Sequence, residues 1–213
     1  MTSPDFQAFQ FSCFDTSFGA VRNGLDVPAL VRLEGPERAE AERLILAVID
    51  TTLDERPIQA AGYLKLAAAG EPLKRRLARD VEQKYAHNWV HVAWALHQIE
   101  QYPPAADIII SILQRQPRHD QWTRMNAVWA LADFDLTPLT ATALLNALRD
   151  EDHSIGHRAA DALKRVFAAH RQLIDHLNTL ILLRTGPSAA AKYAEIEAEL
   201  LIVRALVNAR LPP

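Results

Sequence analysis

Four leucines recur through the chain at spacings of 32, 35 and 32 residues, and this internal period constrains the fold more than any other feature. They are Leu64, Leu96, Leu131 and Leu163. The residues four positions before them are small or β-branched, namely Ala60, Val92, Ala127 and Ala159. A fixed period in this range is typical of stacked helical repeats, in which each unit packs only on its neighbours.

The pattern around each leucine predicts an α-helix. A helix advances about 100° per residue, so positions −8, −7, −4, −1 and +3 relative to the leucine share its face. A second apolar run precedes each of these helices; the runs are Leu44 to Ile49, Leu73 to Leu77, Ile108 to Leu113 and Leu144 to Leu148. Each unit therefore reads as helix, turn, helix, and the fold class is predicted to be all-α.

The segment from Asp150 to Leu163, DEDHSIGHRAADAL, resembles the HEAT-repeat family in its short bacterial form. An acidic turn is followed by an Arg-rich helix with an Ala-Ala-x-Ala-Leu run. The glycine that often follows the leucine is replaced in all four units, by Lys65, His97, Ala132 and Lys164. The resemblance implies a right-handed α-α solenoid of about four helical pairs over residues 36–168. It specifies function poorly, because such scaffolds carry many activities.

The two ends of the chain differ from the repeats, and both are predicted to be helical caps of a single domain spanning residues 1–213. Five of the seven phenylalanines lie in residues 1–35, and Phe11, Phe14 and Phe18 have the spacing of one helical face. Gly24 is predicted to end that helix. After Phe167 the repeat pattern loosens, so residues 169–213 are assigned to a C-terminal cap. Solenoids need such caps to cover their open ends.

Composition narrows the function classes. The formal charge of −3 and the pI of about 6.2 disfavour a general nucleic-acid binder, which needs a basic face. Seven glycines and no Gly-x-Gly turn argue against a nucleotide-binding α/β domain. Cys13 is the only cysteine, so no internal disulfide forms. The first residues do not resemble a signal peptide and the apolar runs are too short to span a membrane, so the default location is cytoplasmic.

The repeat frame singles out an aromatic stripe in the two middle units. Position −2 lies about 200° from the leucine and is expected to face away from the core. Positions −6 and −9 point outward as well, and two charged residues lie at the rim of the stripe. These positions together predict a partner-binding surface, which consists of Val90, Trp94, Trp122, Arg124, Met125, Trp129 and Asp133. Exposed apolar patches with polar rims tend to be interaction sites, and tryptophan is enriched at binding hot spots. The alternative is coverage by the Phe-rich N-terminus, the last helix or a second copy in a homodimer.

Enzyme signatures are weak. A HEAT-like base-excision DNA glycosylase would place Trp94, Trp122 and Trp129 around Arg124 and Asp133, but residues 85–136 carry a net charge of −2, whereas a DNA-binding groove should be basic. A bilin-lyase-like protein belongs to the same competing class. His87 and His91 have metal-ligand spacing but lack a third ligand in any motif, and no HExxH occurs. We therefore predict no catalytic residue, metal or cofactor.

The function that this sequence favours is a non-catalytic protein-protein interaction scaffold that binds through its concave face. Small bacterial HEAT proteins of this kind often resemble toxin-neutralising immunity proteins or adaptors. The resemblance thus implies another protein as partner, most concretely a cognate toxin, without nucleic acid or membrane.

Overall fold

A computed structural model describes residues 2–79, 86–114 and 121–166, together with residues 198, 201, 202, 204, 205, 208 and 209. All secondary structure within these residues is helical, which confirms the predicted all-α class. The side chains of Ala86, His87 and Val166 are outside the description. So is most of the predicted C-terminal cap. No helix in the described ranges combines the length and the apolar character needed to cross a membrane.

The chain divides into two compact units, Met1–Ala105 and Ala106–Pro213. The first contains α1 (Pro4–Phe14), α2 (Phe18–Asn23), α3 (Val27–Val31), α4 (Gly35–Val48), α5 (Glu55–Tyr63), a 3-10 turn (Ala67–Ala69), α6 (Gly70–Arg79) and α7 (Ala86–Glu100). The second contains α9 (Gln121–Leu131), α10 (Pro138–Leu148) and α11 (His153–Val166), preceded by α8 (Ala105–Gln114), which begins at the boundary. That residues 1–213 form a single domain stays a prediction.

The predicted repeat register agrees with the helices and with the core. The four helix-turn-helix units correspond to α4 and α5, α6 and α7, α8 and α9, and α10 and α11. The leucines that define the period are all buried, and so are the residues four positions before them. The small residues at these positions lie in the packed interior, where they let neighbouring helices approach.

Within each of the two compact units, the second helices of successive helical pairs run in the same direction. In the first unit α5 packs on α7, where Gln59 shares a 3.2 Å hydrogen bond with His91 and Gly62 lies against Trp94. In the second unit α9 packs on α11, and Gln121 Nε2 donates to Asp152 Oδ1 at 3.1 Å. Partners in these contacts are separated by 31 or 32 residues. This separation matches the leucine period, so equivalent positions of neighbouring repeats meet.

The N-terminal segment is helical, but its phenylalanines do not form one face. The helix breaks after Phe14, and Ser17 starts α2 by accepting a hydrogen bond from the Ala20 amide. Helix α1 buries Phe6 and Phe9, whereas Phe18 is exposed. The prediction of a continuous Phe11-Phe14-Phe18 face is therefore wrong, because Ser17 forms an N-cap in the middle of it. The predicted stop at Gly24 is confirmed: it caps α2 with a φ of 70°, which favours glycine.

Arginines from one helix cap the C-terminal carbonyls of another, a feature that sequence reasoning missed. The buried Arg56 of α5 donates Nη1 to the carbonyls of Ser12, at 3.1 Å, and Asp15, at 3.0 Å, at the end of α1. In the same way Arg76 of α6 donates to the Ile49 carbonyl at the end of α4, at 3.2 Å. The last carbonyls of a helix have no partner within it, so these bonds satisfy groups that would otherwise be buried without one.

The central part of helix α7, from Asn88 to Leu96, is buried on every side. All nine residues from Asn88 to Leu96 are buried, whatever their direction around the helix axis. The sequence frame assumes that one side of each second helix faces away from the core. Burial around the whole circumference is instead typical of a helix in a protein interior. This difference decides which members of the aromatic stripe are accessible.

Candidate functional site

Helix α9 has two distinct faces, and the predicted site residues on this helix lie on the more accessible one. Trp122, Met125 and Trp129 stand three and four residues apart, which places them within about 60° of one another around the axis. We call these three residues the α9 aromatic face. The buried face consists of Thr123, Ala127, Val128, Ala130 and Leu131. The two faces of α9 therefore differ in side-chain size. The buried face consists mainly of small side chains, whereas the more accessible face carries two tryptophans and a methionine.

Trp122 is the most exposed member of this face. Its relative accessibility is 70%, whereas Met125 and Trp129 are half-buried. An indole with this much surface in water leaves a large apolar area unburied, and transfer of such area out of water is favourable by about 25 cal/mol per Å². The face thus combines one protruding aromatic side chain with two partly supported neighbours.

Polar contacts hold α9 against α11 at both ends. At the start of the helix Gln121 bonds to Asp152, whose Oδ1 also accepts from the Ser154 amide at 2.9 Å and so caps α11. Just beyond its end, Arg165 Nη2 lies 2.8 Å from Asp133 Oδ1. These contacts fix the orientation of α9, and with it the direction in which the α9 aromatic face points.

Arg124 lies between these ends, and its guanidinium is committed to the fold. Nε donates to the Leu113 carbonyl at 3.0 Å, which caps the end of α8, and Nη2 forms an ion pair with Asp150. The side chain is only 12% exposed. The expectation that this arginine lies at an open rim is therefore wrong, because the Asp150 carboxylate balances its charge and the C-terminal carbonyl of the preceding helix accepts a hydrogen bond from it.

Trp94 and Val90 are not accessible, which corrects the prediction that they face outward. Trp94 is 1% exposed, Val90 is completely buried, and both belong to the enclosed helix α7. The Trp94 ring lies at 4.9 Å from the Tyr63 ring, with an interplanar angle of 62°, and directly over Gly62. The absent side chain of Gly62 makes room for the indole. Position −2 of this repeat is therefore a packing position between successive second helices.

Two further titratable side chains, His91 and Cys13, are buried in the packed interior. His91 is buried and its Nδ1 shares a hydrogen bond with the Gln59 amide, while the side chain of His87 is outside the description. Burial raises the pKa of the Cys13 thiol far above its usual range. Within the described ranges no three His, Cys, Asp or Glu side chains are grouped so that they could hold a metal ion.

Comparison with known proteins adds no relative: no family model matches the chain, and neither a curated protein nor a solved structure matches it. The candidate site is therefore defined by the positions and contacts of its residues in this structure. It consists of the α9 aromatic face, with Asp133 and its partner Arg165 at one end and the Gln121–Asp152 contact at the other.

Proposed function

We propose that this protein is a non-catalytic protein-binding module and that the α9 aromatic face anchors its partner. The exposure of Trp122 on a helix fixed at both ends is the observation that supports this most. An aromatic side chain held on a rigid element binds with little loss of conformational freedom. Tryptophan is for this reason prominent among residues that dominate interface energies.

The proposed architecture is a HEAT-like solenoid of four helical pairs. Its support comes from the parallel contacts between second helices, which follow the leucine period within each unit. Repeats of this kind stack because one helical pair cannot bury its own apolar face. In such an array the second helices line the inner, concave side, and α9 is a second helix. We therefore propose the concave side as the binding side.

Truncation of a tryptophan anchor should cause a measurable loss of binding free energy. Truncation of a hot-spot residue costs 2 kcal/mol or more, which is about thirtyfold in affinity. Asp133 is 22% exposed in its side chain and sits where it can influence partner choice and association rate more than affinity. The binding energy should therefore depend strongly on Trp122 and weakly on Asp133, which lies at the other end of the helix.

The experiment is a quantitative affinity capture from the native cell with three forms of the full chain. Wild type and Leu139→Ala should retain the same partner, whereas Trp122→Ala should lose it. Leu139 is a matched control, because it is an exposed apolar residue, 47% accessible, on α10 of the same unit. A partner that Trp122→Ala retains at wild-type affinity would overturn the proposal.

The most concrete version of this function is neutralisation of a toxin, as the family resemblance implies. If the captured partner is toxic when expressed alone, co-expression of wild type should restore growth and Trp122→Ala should restore it poorly. A partner without toxicity would favour an adaptor. Substrate turnover by the purified protein alone would contradict the non-catalytic character.

A further inference from the structure

One arginine on α11 differs from the other Asp, Lys and Arg side chains of α9 and α11. Arg158 is exposed, and no residue in the described part of the chain forms an ion pair with it. The others take part in three ion pairs, which are Arg124–Asp150, Arg165–Asp133 and Lys164–Asp161. Arg158 therefore carries a positive charge that the described residues do not balance.

The position of Arg158 on α11 directs it towards α9. It stands seven residues before Arg165, which is nearly two full helical turns, so the two side chains leave the helix within about 20° of each other. Arg165 reaches Asp133 just beyond the end of α9. Since α9 and α11 run in the same direction, Arg158 lies on the same side about 10 Å earlier, at the level of Asn126.

This level is the middle of the α9 aromatic face. Trp122 stands about one turn before Asn126 and Trp129 nearly one turn after it, and all three side chains are at least partly accessible. We call the α9 aromatic face together with Arg158 the α9–α11 surface. It combines an accessible apolar area with one unbalanced positive charge at its edge.

A partner that matches this surface places an apolar side chain on the tryptophans and a carboxylate against Arg158. A guanidinium binds a carboxylate through two parallel hydrogen bonds, which fixes geometry as well as charge. Such a bond beside a large apolar contact is partly shielded from water, and electrostatic interactions are stronger there. A cationic segment would instead bring two positive charges together, which is unfavourable.

The single unbalanced charge favours a protein segment over other anionic partners. Nucleic acids and anionic membranes present many charges close together, and clusters of lysine and arginine bind them. The other cations on α9 and α11 are already paired, and the whole chain has a formal charge of −3. A peptide segment needs only one carboxylate at the correct distance from its apolar side chain.

We propose that the α9–α11 surface binds an acidic peptide segment of the partner. An apolar side chain of this segment contacts the α9 aromatic face, and a nearby carboxylate pairs with Arg158. The inference rests on the proposed function, because it names the chemistry of the partner at the same face. The carboxylates of Asp133 and Asp161 oppose such a segment little, because a cation balances each of them.

The first test is a selection of random linear peptides, displayed on phage, against the immobilised full chain. Peptides that bind wild type but not Trp122→Ala should contain Asp or Glu near an apolar residue more often than the unselected library does. The same selection against Arg158→Glu should enrich Lys or Arg at these positions, because the charge of the surface is reversed.

The second test is an affinity titration of one such peptide. Arg158→Glu should weaken binding by about tenfold or more, and Arg158→Lys, which keeps the charge, should weaken it less. Arg22→Glu is the matched control and should bind like wild type, since Arg22 is an exposed arginine of α2 without an ion-pair partner among the described residues. A peptide with lysine in place of its acidic residue should bind Arg158→Glu more tightly than wild type, a reversal that a folding defect does not produce.

The outcomes separate this inference from the proposed function. Peptides that need Trp122 but show no acidic excess, or that ignore Arg158→Glu, overturn the inference and leave the proposed function standing. Weakening of both the acidic and the lysine peptide by Arg158→Glu also overturns it, and so does a selection that enriches no peptide. Peptides that bind wild type and Trp122→Ala equally overturn the inference together with the proposed role of the α9 aromatic face.

Discussion

Gly62 of α5 lies directly beneath the indole of Trp94 of α7, so close that a Cβ on residue 62 would stand 2.5 Å from Cζ3 of the ring. It would also stand 3.1 Å from the Cα of Ala95. Both residues occupy position −2 of their repeats. The largest side chain of one repeat is thus accommodated by the smallest residue of its neighbour.

Gly62→Ala should therefore destabilise the protein. Overpacking in a well-packed core costs about 1–3 kcal/mol, and here both a ring and a backbone atom oppose the added methyl group. Chemical denaturation followed by circular dichroism measures the effect. The matched control is Gly19→Ala, because nothing lies within 4 Å of a Cβ at Gly19 of α2. Equal stability of Gly62→Ala and wild type would contradict the observed contact.

Trp94→Ala should lower stability much more than Trp122→Ala. Truncation of a buried aromatic side chain costs about 3–5 kcal/mol, and Trp94 is fully buried. Trp122 is exposed, and a surface substitution usually changes stability by no more than about 0.5 kcal/mol. Denaturant titration of the two single variants separates these cases. The prediction fails if both variants lose the same free energy of unfolding.

Arg56→Met should loosen the N-terminal helix α1. The variant retains the aliphatic bulk of the side chain but removes the donors to the Ser12 and Asp15 carbonyls and the ion pair with Asp54. Leaving a buried acceptor unsatisfied costs about 1–3 kcal/mol. The expected result is a lower unfolding midpoint and faster amide hydrogen exchange in α1. Arg43→Met is the control, because Arg43 is exposed and its ion-pair partner among the described residues is Glu40 of its own helix, α4; it should change neither measurement noticeably.

Acid should weaken the attachment of the N-terminus to α4. The hydroxyl and the backbone amide of Ser3 donate to the Glu37 carboxylate, and these bonds hold the pKa of that carboxyl below its usual range. A lowered folded-state pKa means that the stabilisation is present above the unfolded value of about 4.3. It is lost as the pH falls through the lowered folded value.

Thermal unfolding as a function of pH tests whether this stabilisation is lost on acidification. Glu37→Gln should be less stable than wild type at neutral pH and should lose less stability on acidification, so the two curves converge. Glu34→Gln, a change of an exposed glutamate next to α4, should follow the wild-type curve. Parallel curves for Glu37→Gln and wild type would rule out the Ser3 contact as the cause.

Cys13 should be inert in the folded protein and so report unfolding. Its thiol is buried and burial raises its pKa, which removes the nucleophilic thiolate at neutral pH. A thiol-specific reagent should label one group per chain only after denaturant is added. Rapid labelling in native buffer would show that α1 opens readily.

The sequence by itself determined the helices and the register of the repeats. Amphipathic periodicity is a local property, and it correctly placed the buried leucines Leu96, Leu131 and Leu163 in successive second helices, while the buried Leu64 is the C-cap that directly follows α5. The repeat period also reappears in the contacts between those helices. Local reasoning did less well at the N-terminus, where the N-cap at Ser17 interrupts a regular phenylalanine spacing.

Only the tertiary structure decided which of the outward positions are accessible. Trp94 and Trp129 occupy the same position in their repeats, yet Trp94 is enclosed while Trp129 is half-buried on a helix whose first turn exposes Trp122. A helical repeat specifies the direction of each side chain relative to its own leucine. Whether that direction meets water or protein depends on the size and position of residues in neighbouring elements, as Gly62 shows for Trp94. The capping roles of Arg56 and Arg124 depend in the same way on helix ends brought close by the fold.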